Sequence, residues 1–197
     1  MSNDTWATPK PVFEYYNSRY DFACDVAASD ENHLCDKYIT EDEDCLSSNW
    51  NGFGLESGDY VWCNPPYSKP LPFVQKCIDE SICLGIGSVI LVNHDMSVGW
   101  SALLTSIGCN IEVFTASGDK SEKTYRTGRI AFIDTDGYPV PSNPKGQVAV
   151  IIPPFVDIYR EPQTIYVPLS VVMDEGQRMI DEKFSFSRKP AELEQAA

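Results

Sequence analysis

Asp59-Tyr60-Val61-Trp62-Cys63-Asn64-Pro65-Pro66-Tyr67 changes character halfway. Tyr60–Cys63 is an apolar run with the look of a buried strand, and it passes straight into Asn64-Pro65-Pro66-Tyr67. Pro70 and Pro72 then open a helix predicted to run to about Ile82, with Phe73, Val74, Cys77, Ile78 and Ile82 as its apolar stripe. Gly85 and Gly87 end that helix. Ser88–Val92 follows as an uninterrupted apolar strand, suited to the middle of a parallel sheet. A helix near Trp100–Ile107 and a strand at Asn110–Phe114, parted by Gly108, continue the alternation.

Upstream, Thr8-Pro9 looks like a helix start, with Thr8 as N-cap and Pro9 at the first helical position. Residues 9–18 place Val12, Phe13 and Tyr16 on one face. Tyr20–Ala28 holds a short buried strand that ends at Asp25 or just after, and Lys37-Tyr38-Ile39 is a candidate short strand. Asn51-Gly52-Phe53-Gly54 is a loop and lacks the third glycine of a dinucleotide fingerprint. Downstream, Arg129–Ile133 and Gln147–Ile152 are predicted as an antiparallel pair at the sheet edge. Prolines at 153, 154, 162 and 168 then punctuate the chain before a weak helix near Leu169–Glu182 and a polar tail to Ala197. The alternation predicts an α/β fold, mostly parallel with an antiparallel edge. Residues 1–155 form its main domain, with a small insertion near 115–146, and 156–197 form a C-terminal extension.

The chain has 197 residues, 43% hydrophobic and 22% charged, which excludes collagen-like, coiled-coil and wholly disordered readings. No apolar run nears the roughly 18 to 20 residues of a membrane span, and the N-terminus lacks the marks of a signal peptide. A cytoplasmic protein is expected. Its net charge is −14, and the first 60 residues hold 13 acids against 3 bases. Phosphate contacts need Lys and Arg, so any nucleic-acid surface must be local. The seven cysteines form no C-x-x-C pair and read as reduced, mostly buried thiols. His33 and Cys35 have no matching second pair of ligands, so no metal is expected.

Asn64-Pro65-Pro66-Tyr67 meets a specific chemical demand. An exocyclic amine on a base is a poor nucleophile, because its lone pair is delocalised into the ring. Two acceptors on its N–H groups pyramidalise the nitrogen and aim the lone pair at a methyl donor. The Asn64 side-chain oxygen supplies one acceptor and the next backbone carbonyl the other. Pro65 and Pro66 fix φ and remove competing donors, and Tyr67 offers a flat ring for a base swung out of its helix. Such catalysis is positioning and electrostatics.

Further segments stand in order around this one: Asp4-Thr5-Trp6-Ala7-Thr8-Pro9, Phe22–Ala28, Tyr38-Ile39-Thr40, Asp44-Cys45-Leu46 and Trp50, then Gly128–Phe132 and Asn143-Pro144-Lys145-Gly146. Together, over roughly residues 4–155, they resemble the phage-encoded DNA N6-adenine methyltransferases of the Dam type. The resemblance implies a Rossmann-like S-adenosylmethionine-dependent methyltransferase fold, methyl transfer to N6 of adenine in double-stranded DNA, GATC as target, and no metal. Asn64, Pro65, Pro66 and Tyr67 would be catalytic. Trp6, Thr8, Pro9, Asp25, Ala27, Asp44 and Asn64 would bind the cofactor, S-adenosylmethionine, and its product S-adenosylhomocysteine. Where such enzymes carry a glycine-rich loop, this chain has Asp25-Val26-Ala27-Ala28-Ser29. A capping role for Asp25, and a solvated acidic loop at Glu41-Asp42-Glu43-Asp44, are the competing readings.

For DNA, residues 120–129 hold four bases, Lys120, Lys123, Arg126 and Arg129, against one acid, and Lys69 adds a cation after the catalytic loop. Two other functions fit parts of the sequence. A protein glutamine N-methyltransferase would share the amide chemistry without needing the basic loop. A non-enzymatic acidic mimic of DNA would suit the charge but leaves Asn64–Tyr67 unexplained.

Overall fold

A computed structural model describes residues 3–140 and 143–193. The last four residues of the expected polar tail lie outside the described residues. Helix α1 (Lys10–Tyr20) begins one residue later than expected: Pro9 occupies the N-cap position at φ −58°, ψ 134°, without a side-chain cap, and Thr8 lies outside the helix. Asp21, left-handed at φ 48°, turns the chain, and Asn17 Oδ1 accepts the Phe22 N–H at 2.9 Å. Strand β1 (Phe22–Asp25) follows, and residues 37–39 join it only through a bridge at Tyr38. Strand β2 (Tyr60–Cys63) stops where the prolines remove the N–H groups a ladder needs. Helix α2 (Pro70–Leu84) ends at Gly85, whose left-handed φ of 67° lets its N–H return to the carbonyls of Glu80 and Ser81.

Strand β3 (Gly87–Asn93) is buried almost throughout. The helix expected at Trp100–Ile107 is α3 (Gly99–Ala102) followed by turns, although Trp100, Leu104 and Ile107 are all buried. Strands β4 (Asn110–Thr115), β5 (Gln147–Ile152) and β6 (Gln163–Pro168) and helix α4 (Leu169–Leu193) complete the chain.

The six strands stand in the order β1-β2-β3-β5-β4-β6. The pairs β1/β2, β2/β3 and β4/β6 are parallel. Strand β5 alone is reversed, antiparallel to both β3 and β4. The mostly parallel sheet of a Rossmann-like α/β fold is therefore present, but its reversed strand is interior and not at the edge. Arg129–Ile133 forms no strand of the sheet. The Ile130 N–H bonds the Gln147 side chain, and Ile133 exchanges two backbone hydrogen bonds with Ala7.

The residues expected as an extension contribute β6 to the sheet and α4 to its covering layer. The Gln163 N–H bonds the Cys109 carbonyl at 2.9 Å. In this parallel ladder the backbone N–H groups of Gln163, Ile165 and Val167 turn toward β4, and those of Thr164 and Tyr166 toward the open edge. Pro162 and Pro168 share that outward parity and carry no N–H.

Alternation along β2 also divides the core. Val61 and Cys63 pack with α2, α3 and Trp50, and Trp62 packs with α1, Phe132 and Val172 of α4. All seven cysteines are free, and six are buried. Burial pushes the thiols of Cys24 and Cys45 up to about 12, which keeps them protonated. No helix among the described residues is long and apolar enough to cross a membrane. Strands β1, β2, β3 and β4 all end at one edge of the sheet and β5 begins there. Ligands of open α/β sheets bind at that kind of edge.

Candidate active site

Asn64 leaves β2 with its amide fixed at one end. Its Nδ2 donates to the Trp6 carbonyl at 3.3 Å, while its Oδ1 is buried with no hydrogen-bond partner. The Pro66 carbonyl accepts the Lys69 N–H at 3.0 Å and closes the turn. Among the described residues, no N–H engages the Pro65 carbonyl. The Tyr67 hydroxyl is also buried and unpartnered, and burial pushes its pKa well up. Its ring stands edge-on to Phe132, which is stacked in turn by Trp6 at 6.0 Å.

Thr8 Oγ1 is a third buried oxygen without a partner. Buried polar atoms are nearly always satisfied. Three of the six unpartnered ones among the described residues belong to residues 8, 64 and 67. The structure thus brings Trp6, Thr8 and buried Pro9 together with the Asn64 loop.

A cleft of about 270 Å³ opens beside Tyr67, lined by Asp4, Tyr67, Ser68, Asn93, Asn143, Pro144 and Lys145. Side-chain amides brace the chain around Asn143 and Lys145. Asn143 Nδ2 donates to the Ile130 carbonyl at 3.1 Å, and Gln147 Oε1 accepts the Ile130 N–H at 3.1 Å. Gln147 Nε2 donates to the Lys145 carbonyl at 2.8 Å. Sequence reasoning gave no role to Asn93 or Gln147. Their one available signal was an amide at the end of an otherwise apolar strand.

Asp25 ends β1 beside this loop, 3% exposed. Its Oδ1 accepts the Ala27 N–H at 3.3 Å and its Oδ2 the Leu34 N–H at 3.2 Å. Burial pushes its carboxyl up to about 6 against the opposing pull of those N–H groups and His33. Two backbone anchors already occupy Asp25, and Ala27 is held with it. Asp44 sits on an exposed turn, left-handed at φ 51°. Hydrogen bonds from Ser47 and Leu46 hold its carboxyl below the usual range.

Lys69, Lys120, Lys123, Arg126 and Arg129 are all exposed, and none is ion-paired among the described residues. Ser117 and Arg126 exchange two backbone hydrogen bonds, which pinch residues 117–126 into a loop just beyond β4. Arg126 Nη1 donates to the carbonyls of Lys123 and Tyr125, so this guanidinium folds back on its own loop. No group of three or more His, Cys, Asp or Glu able to hold a metal ion occurs among the described residues.

The family model of the DNA N-6-adenine-methyltransferases (Dam) matches residues 1–179. A DNA N-6-adenine-methyltransferase of Escherichia phage T1 is 33% identical over 177 residues, covering 86% of this chain and 70% of the relative. One of Haemophilus phage HP1 is 32% identical over 178 residues, covering 88% of this chain and 91% of the relative. No solved structure matches. With a family match across most of its length and two relatives covered over more than two thirds of theirs, the chain belongs to the DNA N-6-adenine-methyltransferase (Dam) family.

Proposed function

We propose that the protein transfers a methyl group from S-adenosylmethionine to N6 of adenine in double-stranded DNA, at GATC by family resemblance, in the cytoplasm. The observation that carries this reading is the buried, unpartnered Asn64 Oδ1 beside the unengaged Pro65 carbonyl. Each accepts one N–H of the amine, which turns the nitrogen lone pair toward the methyl carbon. When bound, the donor supplies a sulfonium methyl; the new C–N bond takes the amine's lone pair and the broken S–C pair returns to sulfur. N6 then sheds one proton to solvent, and no protein group is alkylated on the way.

The ring of Tyr67 stacks on the extruded base in this reading, a role its flat ring and its edge-on brace by Phe132 support. Trp6, Thr8 and Pro9 line the donor side, where the Thr8 hydroxyl offers an unspent hydrogen bond. Asp25 and Ala27 shape the neighbouring loop, and Asp44 is the acid proposed for the donor's adenine amine. Residues 115–146 are proposed as the DNA-recognition insertion. Their exposed lysines and arginines supply the local phosphate contacts that the acidic remainder of the chain cannot.

Labelled methyl transfer followed by nucleoside analysis tests the reading. Wild type should place label on N6-methyladenine, with no metal added. Asn64→Ala should lose at least about a hundredfold in rate while donor binding by calorimetry stays within about threefold. Label on protein glutamine, or near-wild-type turnover by Asn64→Ala, would overturn it.

A further inference from the structure

We infer that Trp6 is a positioning residue: its backbone carbonyl sets the rotation of the Asn64 amide, so that only the acceptor end faces the reacting amine. The inference rests on Asn64 being the catalytic acceptor and adds what holds it in register. An amide has one donor end and one acceptor end, and a half-turn would set N–H against N–H. The Trp6 carbonyl removes that ambiguity by taking Nδ2 at 3.3 Å, leaving Oδ1 buried and unspent.

The carbonyl is itself held on several sides. Next to it, Ala7 exchanges two hydrogen bonds of 2.9 Å with Ile133. The Trp6 ring stacks on Phe132, and Asp4 Oδ1 accepts the Ser68 N–H at 3.0 Å. Residues 4–7 thus form a strap tied to the catalytic loop at Asn64 and again at Ser68.

The strap discriminates between asparagine and aspartate. A carboxylate at position 64 would set an anionic oxygen against the Trp6 carbonyl oxygen, with no proton between them. Only the protonated acid could donate there and still accept with its other oxygen. The titratable groups on the elements around this position are Asp4 on the strap, Cys63 at the end of β2, Tyr67 and Lys69 on its own loop, Asp25 at the end of β1, and Lys145, which shares the cleft with Tyr67. Burial keeps the thiol of Cys63 and the hydroxyl of Tyr67 neutral. Asp25, at about 6, titrates in wild type as well, so wild type is measured at every pH and the introduced carboxyl is read directly by NMR.

The test is Asn64→Asp, measured beside wild type. Its kcat ratio should be down about a hundredfold at alkaline pH and climb at least about tenfold as the pH falls toward 6. Without any ligand, carbon-13 NMR should find the introduced carboxyl well above the ordinary value of about 3.9. A flat ratio, or an ordinary carboxyl, overturns the inference. A second pair guards against a variant that fails to fold. Asp4→Ala should lower kcat by about tenfold with the DNA KM unchanged, and Asp4→Asn, which still accepts from Ser68, should restore it. An unaltered kcat in Asp4→Ala also overturns it. Near-wild-type activity in Asn64→Ala would instead sink the catalytic reading, a distinguishable failure.

Discussion

Tyr67 meets Phe132 edge-on, with ring centroids 5.6 Å apart and planes at 80°. Phe132 is wholly buried, so it braces Tyr67 from behind. Phe132→Ala should cost about 3–5 kcal/mol of stability, and kcat should fall with it as Tyr67 loses its support. Tyr67→Phe should do the opposite for the ligand-free protein. It removes a buried hydroxyl with no partner, and a gain of about 1 kcal/mol is expected, with little change in DNA KM. Urea unfolding and steady-state kinetics check both.

The exposed cations beyond β4 should govern salt dependence. Replacing Lys120 and Lys123 together by alanine should raise the DNA KM and flatten its logarithmic salt slope by about 1 to 2, at about 0.9 for each phosphate no longer neutralised. Donor affinity should not move. A slope equal to wild type would place the DNA surface elsewhere.

Asp25 gives stability a defined pH dependence. Its folded carboxyl holds a proton up to about 6, whereas the unfolded chain releases it near the ordinary 3.8. Between those values the folded state binds more protons than the unfolded, so stability falls as pH rises and levels off above about 6. The drop is on the order of 2–3 kcal/mol. Asp25→Asn should lose that slope while keeping a constant penalty, since an amide cannot accept from both Ala27 and Leu34. Denaturation curves at pH 4, 5, 6 and 7, as about unit steps across the window, give the comparison.

Gly176 of α4 is buried, and a Cβ there would run into the Pro11 carbonyl of α1. Alanine in a helix is worth up to about 1 kcal/mol over glycine, but overpacking against backbone costs about 1–3 kcal/mol. Gly176→Ala should therefore destabilise, by about 1–2 kcal/mol on balance. A raised melting temperature would contradict the clash.

Tyr60–Cys63 and Gln147–Ile152 were legible residue for residue, because each is an apolar run bounded by turn-forming residues. Arg129–Ile133 misled because Ile130 and Phe132 alternate like a strand. Their burial is real, yet Gln147 and Asn143 side chains satisfy the Ile130 backbone. Periodicity reports burial and cannot tell a ladder from a loop held by amides. Strand β6 was hidden by its flanking prolines, read as punctuation alone. At the site, Asn64–Tyr67 announced itself through chemistry. Its tie to Trp6 spans 58 positions, and no local pattern encodes that distance.

The proline-flanked rim of β6 bears on how the protein behaves when crowded. A second chain attempting to continue the sheet there would find donors at Thr164 and Tyr166, and then Pro162 and Pro168 on either side. Fibrillar stacking depends on an unbroken segment of about six or seven residues with few prolines, and this rim interrupts itself before that length. The hydrophobic Ile165 and Tyr166 can thus stay on the surface without seeding insoluble assemblies during expression.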